Sequence, residues 1–459
     1  MMIIIIILSI SWSEPVNLSQ SDAISYLPAI VCKDNRVAIA WTERHGFYLD
    51  WDIYYIQSDD GGEHWSSIER IWGEDSSICT VPDIAIDSTN TIHVIWTQNY
   101  GDIFWTYQCG DTWATPVDIS NQPGSEEDAV IVVDKQNRIW VFWREYGYDH
   151  QCYYVTYDGV SWSEPVNFTN QLNGSCYLPQ VDIDTAGNLH VIWAYSEDGR
   201  RSHVYYKKYD SIEWSNAEII PCIEDVDDRD LKMKLDDKCR PWVIWGDNGC
   251  LYYAYRDTEG WKGPFLISDD ERRHQIDFVF DNEGHLHLIW IKITIASQFE
   301  YLYHSTLLDT GWTVPERLSN SPSIFPAIAI DDMDNLHVVW SQGPAVNGGG
   351  DQSDLYYRKG TNVGVKEKLA QFTEYRDWLI LGTSNPSLQF KLIKPAHVTV
   401  SIFELTGQTI RKFNLGYKAS GTIHTFTIPP DMLTQSGIYF YQIATSHETV
   451  AKGKLIVIR

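Results

Sequence analysis

Three sixteen-residue stretches constrain this chain more than any other feature: VPDIAIDSTNTIHVIW (81–96), LPQVDIDTAGNLHVIW (178–193) and FPAIAIDDMDNLHVVW (325–340). They share one plan, a short apolar run, an Asp-led turn and a second apolar run ending in Trp. More divergent copies end at Trp41, Trp143, Trp245 and Trp290, so seven tryptophans recur 45 to 55 residues apart. A fixed period of that size points to repeated copies of one supersecondary unit, each burying its apolar face only against the next copy.

Each of the seven is followed by a loop and an aromatic run: DIYYIQS, DIFWTYQ, QCYYVTY, HVYYKKY, CLYYAYR, EYLYHST and DLYYRKG. Six of these lead through a turn to a further Trp, at 65, 113, 162, 214, 261 and 312, and then to a pattern close to xxPxxLS. Period-2 alternation with Gly and Asp turns reads as four short strands per unit, the signature of a β-propeller blade. The seventh unit begins at Phe325 and ends after DLYYRKG (354–360) without its Trp-containing fourth strand. SWSEPVNLS (11–19) nearly repeats SWSEPVNFT (161–169) and supplies that strand through Trp12. An open ring would leave an unpaired strand edge, so the N-terminal segment is predicted to complete the last blade. The predicted fold is all-β: a seven-bladed β-propeller over residues 10–360 closed by the N-terminal strand, followed by a small C-terminal β-sandwich.

The aromatic share of 14% follows from the repeat, since fourteen of the 20 Trp belong to the repeated pair. The net charge of −27 disfavours nucleic acid as a partner. It is unevenly placed: residues 361–459 carry 11 Lys+Arg against 6 Asp+Glu, leaving 24 basic and 56 acidic residues in 1–360. That asymmetry marks a domain boundary near residue 360, with 361–380 read as a linker and 381–459 as the second domain. All eight cysteines precede the boundary, without the spacing of a zinc site. Cys152 with Cys176, and Cys222 with Cys250, flank loops on one face and are expected to lie close. The opening MMIIIIILSI, residues 1–9 of which are set apart as a leader, reads either as a remnant signal peptide or as an apolar lead into the first strand. No transmembrane segment is found, and neither a cofactor nor a metal is expected.

His93, His190, His287 and His337 each sit three residues before a repeat Trp. Rotation about a propeller axis keeps such positions apart, so they read as repeat packing rather than metal ligands. The aspartates at 87, 134, 184, 236, 281 and 331 read first as turn residues bonding nearby backbone N–H groups, with calcium ligation as the second reading. SDDGGEHW (58–65) resembles the Asp box of sialidases and bacterial neuraminidase repeat proteins, with Ser58, Asp60, Gly62 and Trp65 in its defined positions. In that family the box is a structural turn remote from the active site. Asn385-Pro386, VSIFELTGQTI (400–410), SGIYFYQI (436–443) and the ending KLIVIR resemble the C-terminal sorting domain of type IX secretion substrates and related flagellar-hook-type immunoglobulin-like modules. The resemblance implies type IX secretion machinery as a partner of residues 381–459, and a secreted or outer-membrane-surface location.

Function is expected on the face formed by loops between blades and between second and third strands, because loops vary while strands hold the ring. Glu43, Arg44, Asp128, Arg144, Glu145, Asp228, Arg229 and Arg273 are the candidates there. Three readings stay open. A secreted binder of an extracellular glycan uses aromatic and acidic loops. A sialidase-like exo-glycosidase or a polysaccharide lyase shares the scaffold. A protein-binding surface needs no pocket. The sialidase resemblance implies three arginines on a substrate carboxylate, a Tyr–Glu nucleophile and an Asp acid/base. The chain lacks the Arg-Ile-Pro motif that opens that family's pattern, and no catalytic role attaches to any numbered residue.

Overall fold

The computed structural model describes residues 10–457 apart from 46–49, 74–76, 100, 122–123, 147–149, 170–173, 198–201, 221–229, 248, 269–274, 294–298, 309–310, 344–351, 363–377, 382–386, 392–394, 405–408, 420–422, 430–436 and 446–448. Among these residues every regular element is a strand. Trp12–Gly360 form one compact unit, and Thr361–Arg459 with Met1–Ser11 are grouped in another.

The larger unit contains seven antiparallel sheets of four or five strands among the described residues. The first runs Ile24–Lys33, Arg36–Arg44, Trp51–Ser58 and Glu69–Trp72, neighbours in sequence pairing in order. Five successors repeat that order, beginning at Cys79, Ser125, Ser175, Leu231 and Ile276. In the seventh, Ser323–Ile330, Leu336–Gln342 and Asp354–Asn362 are joined on their open edge by Ile10–Trp12 and Val16–Asn17. Leu18 N–H bonds Leu355 C=O at 2.7 Å, and Ser13 N–H bonds Lys359 C=O at 2.8 Å, across more than three hundred residues of chain.

Each repeat Trp is buried and lies against an aromatic ring on its cross-strand neighbour. The pairs are Trp41–Tyr54, Trp96–Phe104, Trp143–Tyr153, Trp193–Tyr205, Trp245–Tyr252, Trp290–Tyr303 and Trp340–Tyr356, with centroids 5.6–6.1 Å apart. Such pairs contribute roughly 0.5–1.5 kcal/mol each beyond the area they bury. The second recurring Trp serves the contact between sheets. Trp113 packs on Tyr55, Trp162 on Trp105, Trp214 on Tyr154, Trp261 on Tyr206 and Trp312 on Tyr253, each ring meeting the third strand of the preceding sheet. Trp12 packs on His304 of the sixth sheet at 5.2 Å, and Trp65 of the first sheet packs on Tyr357 of the seventh at 4.8 Å.

Two further devices repeat. The first strands of five sheets shift register at Tyr26/Ala29, Thr80/Asp83, Glu127/Val130, Tyr177/Gln180 and Ile324/Ala327. Leu27, Val81, Asp128, Leu178 and Phe325 sit there with φ between 50° and 55°. In four of the five a proline follows, which fits a bulge because the ladder needs no N–H there. The turn aspartates also act alike: Asp331 Oδ1 accepts Met333 N–H at 2.9 Å and Asn335 N–H at 2.8 Å, while Oδ2 meets His337 Nε2 at 3.1 Å. His190 and His287 face Asp184 and Asp281 of their own sheets at 3.3 Å, and His93 faces Asp87 at 3.5 Å. Trp140 and Trp242 take the same place beside Asp134 and Asp236. The four histidines therefore hold turns within their own sheets.

In the second unit, Trp378–Leu381, Thr449–Val457, Gly437–Thr445, Ala396–Glu404 and Thr409–Lys418 make one sheet in that order, and Ser387–Lys391 pairs with Ile423–Thr427. Val398, Val400, Ile402 and Ile443 are fully buried. Phe413 meets Phe426 across the two sheets at 4.7 Å.

Candidate functional site

Antiparallel strands reverse at each turn, so the second-to-third-strand connections and the links between sheets share one rim of the larger unit. The Asp box lies at the opposite end. There Ser58 Oγ donates to Asp60 Oδ1 at 2.8 Å and accepts from Gly62 N–H at 2.8 Å, while Asp60 accepts Glu63 and His64 N–H. Gly62 has φ of 85°, and a Cβ there would sit 2.0 Å from Tyr357 Oη, so only glycine fits.

At the rim, each second strand runs on past its Trp, and the residue two further on faces the preceding sheet. That residue is Glu43, Gln98, Glu145, Tyr195, Asp247, Lys292 or Gln342. In three sheets it accepts the indole N–H: Trp41 to Glu43 at 2.8 Å, Trp96 to Gln98 at 3.4 Å and Trp340 to Gln342 at 3.2 Å. A second rim device explains the xxPxxLS pattern. The Ser or Thr hydroxyl accepts the N–H near the start of the third strand, Ser19 from Leu355, Ser120 from Ile103, Thr169 from Cys152 and Ser319 from Leu302, at 2.9–3.1 Å.

Where the link into the seventh sheet meets that sheet's second and third strands lies an open cleft of about 250 Å³ lined by Ser321, Gln342, Gly343, Gln352, Ser353, Asp354 and Tyr356. Of these, Tyr356 is stacked on Trp340. Asp354 accepts Asn17 Nδ2 at 2.8 Å, Ser19 Oγ at 3.1 Å and Ser21 N–H at 2.9 Å.

The junction between the seventh and first sheets holds a group of a different kind. Tyr54, half-buried and stacked on Trp41, has its hydroxyl 3.3 Å from His45 Nε2. His45 lies 3.7 Å from Asp52, whose carboxylate is gripped by Arg70 through Nε at 2.8 Å and a terminal guanidinium nitrogen at 3.0 Å. Burial, followed by the Glu43 and Asp52 carboxylates, raises the Tyr54 hydroxyl above its ordinary pKa. Burial likewise raises Asp52, against the lowering effect of Arg70. His45 and Arg70 are 37% and 45% exposed, so a ligand can reach both while Asp52 stays covered. A tyrosine and a histidine exchanging one hydrogen bond, with a guanidinium close by, can move a proton beside a bound carboxylate.

The residues expected from the sequence fall into two sets. Glu43 is buried, held by Trp41, Ser21 and Ser25. Arg44 lies over Trp51 at 5.6 Å. Arg144 is paired with Glu127 and, at 3.3 Å, with Asp128, and is 19% exposed. Glu145 shares a hydrogen bond with the Tyr153 hydroxyl. Arg44 and Arg144 are thus each engaged within their own sheet. Asp228, Arg229 and Arg273 lie outside the described residues, as does Cys222. Cys152 and Cys176 are brought together, their thiols hydrogen-bonded to one another. The sequence reading does not single out His45, Asp52, Tyr54 or Arg70. They stand on three different strands or their ends, and only register brings them together: Tyr54 opposes both Trp41 and Arg70.

No known family's profile matches the sequence, and no curated protein matches it. Solved structures do. A polysaccharide lyase of the ulvan lyase family, solved with a GlcA–Rha3S ligand, superposes with a TM-score of 0.52 at 16% identity, over 73% of this chain and 92% of that one. A Hadza microbial sialidase gives 0.43 at 12% identity over 74% and 66% of the two chains. The Aleuria aurantia lectin gives 0.41 at 14% over 62% and 96%. At these identities the likeness is one of fold: this chain is an all-β protein built as a β-propeller.

Proposed function

We propose that residues 10–360 form a seven-bladed propeller closed by the N-terminal strand, and that its rim binds an extracellular glycan. The observation that carries this reading is the cleft of about 250 Å³ whose lining includes Ser321, Gln342, Ser353, Asp354 and Tyr356. Hydroxyl, amide and carboxylate groups lining one cleft with an aromatic ring match a sugar, which presents hydroxyls at its edge and C–H groups on its face. Closure is supported by the ring contacts, which run sheet to sheet without a break from Trp12 on His304 to Trp65 on Tyr357. Residues 381–459, after the 361–380 linker, serve as the sorting domain, through which type IX machinery delivers the chain to the cell exterior or the outer-membrane surface.

The test uses the full chain on a glycan array, followed by calorimetry with the best ligand. Gln342→Ala with Tyr356→Ala should weaken binding at least tenfold while melting shifts little for the Gln342→Ala single variant. Absence of any retained glycan, or retention untouched by both substitutions, would remove the reading.

A second reading is favoured by the Tyr54–His45 pair with Arg70 beside it. A polysaccharide lyase removes a proton next to a uronate carboxylate and expels the 4-linked sugar, leaving a double bond. Here one of Tyr54 and His45 would take the proton, the other would give one to the departing 4-oxygen, and Arg70 would hold the carboxylate. The check is ultraviolet absorbance of the unsaturated product from uronate polysaccharides. Tyr54→Phe should abolish it, and no absorbance from any substrate leaves the chain a binder.

A further inference from the structure

Because the sheets repeat, one junction can be read against another. At the junction of the seventh and first sheets, Ser25 and Glu43 are cross-strand partners. At the junction of the second and third sheets the same pair is Glu126 and Glu145. The preceding sheet contributes Asp354 and Asn17 at the first junction, and Asp102 and Asp118 at the second. Asn17 and Asp118 oppose the equivalent residues Tyr356 and Phe104.

At the seventh–first junction the two carboxylates are satisfied by donors. Glu43 takes Trp41 Nε1, Ser25 Oγ and Ser21 Oγ, and Asp354 takes Asn17 Nδ2, Ser19 Oγ and Ser21 N–H. At the second–third junction two of those donors, Ser25 and Asn17, have become Glu126 and Asp118. Asp118 Oδ1 accepts Ser120 N–H, Ser120 Oγ and Asn121 N–H. Glu126 is 0% exposed, and neither of its carboxylate oxygens has a partner. Trp143 Nε1, the counterpart of the donor to Glu43, is also unpartnered. Glu126 is aimed at Glu145: a Cβ on Gly124 would stand 3.0 Å from Oε1 of both. The charged groups that act on Glu126 are Asp102, Glu145 and Asp118, all acidic. Arg144 does not relieve it, being taken by Glu127 and Asp128.

Like charges directly opposite across strands repel, and a buried charge without a partner is costly. The seventh–first junction avoids this with hydroxyl and amide donors. The second–third junction has the same scaffold, but Glu126 receives no such donor, which leaves it short of positive charge. We propose that it is a divalent-cation site, with Glu126 and Glu145 as inner ligands and Asp102 and Asp118 completing the charge. An all-oxygen, carboxylate-rich set without His or Cys suits calcium rather than zinc. Among the described residues no three such groups stand ready around one point. Binding by the proposed ligands therefore requires that the cation draw them together.

The experiment takes the full chain, stripped with a chelator, and titrates calcium chloride by calorimetry and by thermal unfolding at pH 7.5. The expected result is saturable binding with a rise in melting temperature. The comparison variant carries Glu126→Ser and Asp118→Asn, residues that the equivalent junction already accommodates. It should bind no calcium at that site and unfold, calcium-free, no earlier than the stripped wild-type chain. A wild-type chain without calcium heat and without a shift overturns the proposal. So does a double variant that responds as the wild type does, since the ion then sits elsewhere. If the double variant melts much earlier, Glu126→Gln decides by the same two readouts. Glycan binding is scored separately, so loss of either reading leaves the other intact.

Discussion

Asp331 shows how much one side chain does in a repeat of this kind. Burial alone would raise its carboxyl, but bonds from His337, from the Asn335 side chain and from the Asn335 backbone outweigh it and hold the pKa at about 2. Because the folded value lies below the unfolded value, the contribution is present above the unfolded pKa and is lost as pH falls through about 2. The shift corresponds to roughly 2 kcal/mol. Asp331→Asn should therefore lower stability by about that amount near neutrality, and the gap between variant and wild type should close on acidification, as read from urea melts across pH. Equal gaps at both ends would mean that geometry, not charge, is what matters. The thiols give a second residue-scale expectation. Since Cys152 and Cys176 already hydrogen-bond each other, mild oxidation should lower the intact mass by two hydrogens, and Cys152→Ser should prevent it. Mass spectrometry under non-reducing conditions that finds both thiols alkylatable after oxidation would contradict this.

At the scale of elements, the strands were legible because Trp and alternating apolar residues mark them directly. Trp41, Trp96, Trp143, Trp193, Trp245, Trp290 and Trp340 all end in the buried core the alternation predicts. The turn aspartates were legible too, since Asp bonding its own turn is a local effect. What stayed hidden is what depends on register. The Leu-Pro, Val-Pro and Phe-Pro pairs read as apolar strand, yet they build bulges with φ near 50°. The candidate site shows the same limit: acids and arginines in loops were visible, whereas His45, Asp52, Tyr54 and Arg70 meet only once three strand segments are in register. The LS ending was visible as a pattern without a reason. Its reason is the hydroxyl that accepts a third-strand N–H, and this yields a prediction. Ser319 is fully buried and bonds Leu302 N–H at 2.9 Å. Ser319→Ala strands that N–H and should cost about 1–2 kcal/mol in denaturant unfolding. Ser319→Thr should stay within about 0.5 kcal/mol, because Thr169 fills the equivalent role in the third sheet. An alanine variant as stable as the threonine one would show that water satisfies the donor.

For the whole molecule, the decisive element is the shortest. Ile10–Trp12 and Val16–Asn17 are the strands that cover the open edge of Asp354–Asn362. Without them that strand would present a row of unpaired backbone groups, an invitation to associate with another chain. The same segment supplies Trp12 to His304, Ser19 Oγ to Leu355 N–H, and Asn17 with Ser19 to Asp354. Its loss would therefore expose an edge, empty a packing position between sheets and strip a rim carboxylate of its two side-chain donors, all in one sheet. Joining chain ends so far apart also means that the last sheet forms only after the others have brought its parts together. A chain lacking residues 10–19 should then unfold at a lower temperature with a broader transition and associate in solution. A synthetic peptide of residues 10–19 added in excess should restore the original transition, by pairing with the same edge. Light scattering and calorimetry read the two effects separately. If the truncated chain melts like the intact one, the ring does not depend on this strand, and the closure proposed here fails; if it melts early and the peptide restores it, the N-terminal strand is the clasp.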